Sequence, residues 1–282
     1  MSEERLLTAT EIRTSIMRCF AVQRPAFIWG PPGIGKSELV EGICEDLGGV
    51  MYDLRLGQME PTDIRGIPFY NKEGGLNGEG VMDWAQPVDL PQGQQLVIDA
   101  IEGERKRVEA AMASDDKAIA AQGSKDATRK VAEVPVVVLF LDEMNSAPPS
   151  VLAAAYQLIL DRKLGDYEVP KGWAIFAAGN RQGDRGVTYT MPAPLANRFS
   201  HFDFEVNVDD WVAWAYKNDI DDRVIAFVRF RPELLFEFDP AHNPVAFPSP
   251  RSWEFAHRAV QKFEHQNDIR LGALQACVGP AA

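Results

Sequence analysis

Residues 30 to 37 read Gly30, Pro31, Pro32, Gly33, Ile34, Gly35, Lys36 and Ser37, which meets the spacing G-x-x-x-x-G-K-[ST]. That spacing builds a phosphate cradle. Successive main-chain N–H groups at the start of a helix can wrap phosphate oxygens, and the helix dipole there already favours anions. The glycines let the chain come close. Lys36 would bring a point charge to the β- and γ-phosphates, and the Ser37 hydroxyl would ligate magnesium. A second element is the apolar run Leu139, Phe140, Leu141 that ends in Asp142 and Glu143. A carboxylate at the end of a buried strand beside such a loop reaches the magnesium shell. Asp142 is expected to hold the ion through water, and Glu143 to polarise an attacking water as general base. A third is Asn180, which ends the apolar stretch from Ala174. If those two strands are neighbours, its amide lies beside Glu143 and orients the water; a plain Gly-Asn turn is the competing reading. The fourth is arginine, since hydrolysis of this kind gains from a guanidinium at the transition-state oxygens, in cis or from a neighbour. Arg198 precedes a strand and Arg251 opens a helix, and both also read as surface ion-pair residues.

These groups need a frame, and the hydrophobic pattern predicts one. Residues 10 to 20 carry Ile12, Ile16 and Phe20 on one helical face. Pro25 to Trp29 is a short buried strand ended by Gly30. A helix runs from Lys36, with Leu39, Val40, Ile43, Cys44 and Leu47 inward, and Gly48 and Gly49 close it. Val50 to Leu56 alternates as a strand. Residues 61 to 93 are rich in Gly, Pro and Asn and read as mostly loop. Residues 94 to 133 read as a charged, solvated helical insertion. Val134 to Leu141 is the most apolar run and fits a central parallel strand. A helix with Val151, Leu152, Ala155, Leu158 and Ile159 inward follows, then a hairpin over 163–171 and strands at Trp173 to Ala178 and His201 to Val206. Beyond 208 only helices are predicted. Asp209 is expected to cap one, Asp221 or Asp222 a second, and Ser249 with Pro250 a third, which carries Trp253, Phe255, Val260 and Phe263. The division is therefore 1–207, αβ-alternating, and 208–282, a small helical appendage.

Bulk properties bound the function. The chain has 282 residues, enough for one large domain or one with a small satellite. Acids outnumber bases 41 to 29 and the net charge is −12. That balance argues against broad nucleic-acid binding, which runs on Lys and Arg at phosphates. The three cysteines lie far apart, with no C-x-x-C pair, so neither zinc nor a disulfide framework is expected. A reduced, cytoplasmic setting fits. No apolar run is long enough to span a membrane, and the charged start lacks a signal peptide's apolar stretch.

Taken in order, these elements resemble the AAA+ ATPases, and within them the MoxR branch with its dynein- and midasin-like relatives. The strings that carry the resemblance are residues 30–37, Leu141 to Pro149, Ala177 to Asn180, Leu195 to Phe199 and Ser249 to Ser252; it covers roughly residues 10 to 265. It implies an α/β fold with a five-stranded parallel sheet and a helical lid. It implies ATP with Mg2+, Asn180 as sensor 1, Arg198 as a trans arginine finger and Arg251 as sensor 2 in the lid. It implies a homo-oligomeric ring, expected to be a hexamer, that remodels or activates a protein client, often a von Willebrand factor A domain protein. Residues 60–68 are similar to the loop this branch inserts in its second helix, which would set Phe69 and Tyr70 toward a ring pore or leave them simply packed. Two departures stand out. The 94–133 insertion exceeds the family's usual connection. The lid is short, by nature or by truncation, with Leu271 to Ala282 reading as the opening of another helix. The rivals are a nucleic-acid motor or McrB-like GTPase, kept open by Arg181 and Arg185, and a nucleotide-dependent scaffold that scarcely hydrolyses. A substrate-specific activase would use the same mechanism on another client.

Overall fold

Thr8 starts the first helix with a full capping box: its side chain takes the Glu11 N–H, and Glu11 takes its own. The chain therefore turns at once from β1 (Leu6–Leu7) into α1 (Ala9–Ala21). The computed structural model describes residues 6–72, 80–85, 90, 137–164, 167–170, 173–181, 183–184, 188–239, 246–263 and 267–279. β2 (Ala26–Trp29), α2 (Lys36–Asp46) and β3 (Val50–Arg55) follow. Among the described residues of 61–93 the chain is not mostly loop. Pro61 opens a short helix, α3 (Pro61–Arg65), and β4 (Ile67–Asn71) then pairs antiparallel with β5 (Val81–Ala85). Pro68 and Asn71 hide β4 from a propensity reading, while Phe69, Tyr70, Val81 and Trp84 are good strand formers. The 94–133 insertion lies outside the described residues.

β6 (Val137–Asp142), α4 (Pro149–Asp161), the small hairpin of β7 (Lys163–Leu164) and β8 (Tyr167–Glu168), β9 (Ala174–Gly179), α5 (Ala193–Ala196) and β10 (Ser200–Phe204) complete this part. The main sheet is parallel throughout and has six strands, in the order β1-β10-β2-β9-β6-β3. Five were expected. The sixth, β1, is two residues long, too short for any periodicity, and joins through Asp203 and Phe204. Strand side chains alternate between faces. Phe27, Leu139, Leu141, Ile175 and Ala177 therefore enter one core with α4, while Ile28, Val138, Phe140, Phe176 and Ala178 enter the other with α1 and α2. Burial on both faces is why β6 and β9 read as unbroken apolar runs.

After β10 come α6 (Val208–Lys217), α7 (Asp222–Phe230), α8 (Pro250–Lys262) and α9 (Asn267–Val278), around a core of Trp211, Ala215, Ile225, Val228 and Trp253. Asn207, not Asp209, caps α6, because its side chain accepts the N–H groups of Asp209 and Asp210. Asp221 caps α7 and Ser249 caps α8. Phe255 is 45% exposed, since Trp253, Ala256 and Val260 form the buried stripe of α8. α9 begins before Leu271 and ends at Val278, and the following Gly279 N–H bonds Gln275 O. Among the described residues no helix is long and apolar enough to cross a membrane.

Phe140 sits fully buried in the middle of the sheet. Phe140→Ala should lower stability by about 3–5 kcal/mol, read as a shift of the urea midpoint.

Candidate functional site

The parallel sheet brings three strand ends together: β2 runs into Gly30, β6 ends at Asp142 and β9, between them, runs into Asn180. Lys36 is buried at the start of α2. Its Nζ donates to Gly30 O at 2.7 Å, Pro31 O at 2.9 Å and Asn180 Oδ1 at 3.1 Å. Burial pulls its pKa down to about 8, with the charges of Asp142 and Asp184 opposing. Ser37 Oγ donates to Asp142 Oδ2 at 2.9 Å. The other Asp142 oxygen takes the Glu143 N–H at 2.8 Å. Glu143 turns the chain out of β6 in a left-handed conformation, φ 52°. Its carboxylate lies over Gly57, where an added Cβ would meet Oε2 at 2.8 Å.

Asn180 lies at the end of β9 with its amide bonded to Lys36 rather than set beside Glu143. Its amide oxygen takes Lys36, and its bonds do not include Glu143. The main chain of Asn180 is held by a residue that sequence reasoning passed over. Asn145, buried two residues past Glu143, donates from Nδ2 to Asn180 O at 2.6 Å and accepts the Asn180 N–H at 3.1 Å. The only hint in the sequence was an amide between Met144 and Ser146, in the turn after the acidic pair. Gly179 must leave room for this clasp: a Cβ there would meet Asn145 Oδ1 at 2.2 Å and Phe27 Cζ at 2.9 Å.

The helical appendage reaches the loop at Gly33. The Arg251 N–H donates to Gly33 O at 3.2 Å, and a Cβ on Gly33, whose φ is 80°, would meet Ser249 Oγ at 3.0 Å. Arg251 is exposed, yet its charge is near enough to depress Lys36 further. Trp214 Nε1 donates to Glu38 Oε1 at 3.1 Å, and the Thr10 N–H and hydroxyl both bond Asp210. Arg181 is an ion-pair residue here, with Nε 3.1 Å from Asp203 and a bond to Phe204 O. Arg185 lies outside the described residues. Arg198 is exposed and makes no ion pair with any of these groups among the described residues.

The donor set suits magnesium. Ser37 and Asp142 offer hard oxygens already in contact, as a small hard cation requires. Among the described residues no three His, Cys, Asp or Glu side chains gather to hold a metal unaided, so phosphate oxygens would complete the shell.

No protein-family model matches the chain, and no curated protein does. Among solved structures it is similar to a candidate ATPase from Cytophaga hutchinsonii, at 12% identity and a TM-score of 0.45, over 95% of this chain and 68% of that one. It is also similar to the RuvB Holliday junction branch migration motor of Thermotoga maritima, at 12% identity and a TM-score of 0.42, over 95% and 67%. Such values carry nothing about chemistry.

Asn145→Ala should leave the half-buried main-chain groups of Asn180 without their Asn145 partners and cost about 1–2 kcal/mol, measured by urea unfolding.

Proposed function

We propose that the protein is a magnesium-dependent ATPase of the AAA+ type and the MoxR branch, acting as a homo-oligomeric ring, a hexamer, that remodels or activates a protein client. The observation that carries the reading is the contact between Ser37 and Asp142 at 2.9 Å beside the buried Lys36. Residues 30–37 and the acidic end of β6 come from sequence positions far apart, and their contact supports a magnesium and phosphate site there. Free Cys19, Cys44 and Cys277 suit a reducing, cytoplasmic setting. A von Willebrand factor A domain protein is the client we favour, by family resemblance alone.

In this reading the triphosphate lies along residues 30–37, under the N–H groups at the start of α2. The base has a cavity of about 340 Å³ beside the loop, lined by Leu6, Pro31, Phe204, Val206, Leu235 and Phe236 among others. Ser37, and Asp142 through water, would hold a magnesium ion, which would supply charge neutralisation at the phosphates. A γ-phosphate that takes the Lys36 ammonium releases the Asn180 amide, which then orients the attacking water. Glu143 turns from Gly57 to accept that water's proton. Arg251 approaches the phosphates from the lid. Arg198, exposed and away from its own loop's bonds, acts on the site of the next subunit.

Lys36→Ala should abolish ATP binding. Glu143→Gln should bind ATP normally, lose turnover by on the order of 10²-fold or more, and trap ring and client together in a pull-down. A Glu143→Gln protein with unchanged turnover sinks the proposal; preference for GTP, or a rate stimulated by DNA, shifts it to a McrB-like motor.

Arg198→Ala should lower kcat by on the order of 10³-fold while ATP affinity holds. Specific activity of the unaltered protein should also fall on dilution, with ring dissociation followed in parallel by sedimentation. Activity that is independent of concentration down to the monomer argues against a shared site.

A further inference from the structure

Beside the phosphate loop stands an aromatic cluster that the mechanism above does not use. His201, on β10, is exposed, and its ring stacks on Trp29 with centroids 6.0 Å apart and planes at 19°. Phe27 and Phe199 flank it at 5.9 and 6.2 Å. Both ring nitrogens are engaged. The Trp29 Nε1–H donates to His201 Nδ1 at 2.9 Å, and His201 Nε2 lies 2.8 Å from Ala196 O. An indole nitrogen can only donate. Nδ1 must therefore be the acceptor, the proton must sit on Nε2, and Nε2 must donate to the Ala196 carbonyl. One neutral tautomer satisfies both bonds, and no other does.

The two ends of this bridge matter. Trp29 is the last residue of β2, directly before Gly30. Ala196 is the last residue of α5, two positions before Arg198. Its carbonyl also accepts the Phe199 N–H at 3.2 Å, and the Arg198 N–H goes to Leu195 O at 2.9 Å. Leu195 and Phe199 are buried on either side of Arg198, with Phe199 edge-on to Phe27 at 5.4 Å. Arg198 is thus presented outward from a short turn pinned at both flanks, and the histidine locks the carbonyl at its start. Trp29 is in register with Asp203, so its indole reaches diagonally back to His201.

We propose that His201 is a positioning residue: bonded between the Trp29 indole and the Ala196 carbonyl, it sets the turn that presents Arg198 and couples that turn to the strand leading into the same subunit's phosphate loop. The inference rests on the reading of Arg198 as a guanidinium that serves a neighbouring site. It adds a route by which the contents of one loop reach the next site around the ring. Rotation of Trp29 as the loop takes phosphate strains or releases one bond of the bridge, and the other bond moves the Arg198 turn. Neither step transfers a proton.

The test is ATP turnover in mixed rings. Lys36→Ala subunits cannot hold nucleotide but present an unaltered Arg198; Arg198→Ala subunits hold nucleotide but present no guanidinium. Each alone should be inactive, and mixed they should regain turnover at the mixed interfaces. His201→Phe keeps a ring against Phe27 and Trp29 but loses both bonds. Alone, it should lose kcat on the order of 10- to 100-fold, the scale of a misplaced group, with ATP affinity within about twofold. Mixed with Lys36→Ala, its turnover per subunit should rise as that of Arg198→Ala does. Trp29→Phe, which removes only the indole donor, should lose kcat in the same direction by less, and His201→Gln, whose amide can donate to Ala196 O, should recover part of the loss. If Arg198→Ala complements and His201→Phe does not, or if His201→Phe loses affinity instead of kcat, the histidine supports its own loop or merely the fold, and this inference fails alone. If Arg198→Ala itself fails to complement, the shared-site reading falls and takes this one with it.

Discussion

An ammonium withdrawn from water has to be given acceptors, and the surroundings of Lys36 follow from that need. Two acceptors are carbonyls of its own loop, Gly30 and Pro31, and meeting them curls the loop round the lysine. The third is the Asn180 amide, which brings in the end of β9. From there the constraints propagate. Asn180 can face Lys36 only because Asn145 clasps its main chain from the other side, and Asn145 has room only because residue 179 is glycine. Asn145 in turn lies on the short turn that begins at Glu143. One buried charge thus disciplines the exits of β2, β6 and β9 together.

The helices beyond β10 touch this arrangement at few points. Arg251 and Ser249 sit on Gly33, Trp214 bonds Glu38, and Asp210 takes Thr10. Polar ties of this kind are each worth about 1 kcal/mol net. The apolar cluster round Trp211 and Trp253 holds the helices to one another far more firmly. Two of the four hydrogen bonds engage residues 30–37 or α2, and the other two join Asp210 to Thr10 on α1.

Much of this was legible in the linear sequence, for reasons that differ by residue. The loop of residues 30–37 between β2 and α2 was legible because it is local: eight consecutive residues contain the glycines, the lysine and the hydroxyl. β6 and β9 were legible because burial on both faces leaves an apolar run that nothing else needs. Asp221 and Ser249 were legible as caps because capping is a property of three or four neighbours. Within 61–93, the described strands at 67–71 and 81–85 are hidden in the sequence because Pro68 and Asn71 mask a pairing held by cross-strand contacts rather than by propensity. β1 was missed because two residues have no period; it exists through its pairing with β10.

What the sequence determined by itself was the chemical inventory and the order of the elements, since both are written in short-range pattern. What only the tertiary structure decided was who meets whom. Lys36 and Asn180 lie 144 residues apart, and Ser37 and Asp142 lie 105 apart. No local pattern records such distances; the order of strands in the sheet sets them. The same order put Trp29, which precedes Gly30, beside His201, and it gave Asn180 to Lys36 rather than to Glu143, because a buried ammonium needs its third acceptor more than an exposed carboxylate needs a donor.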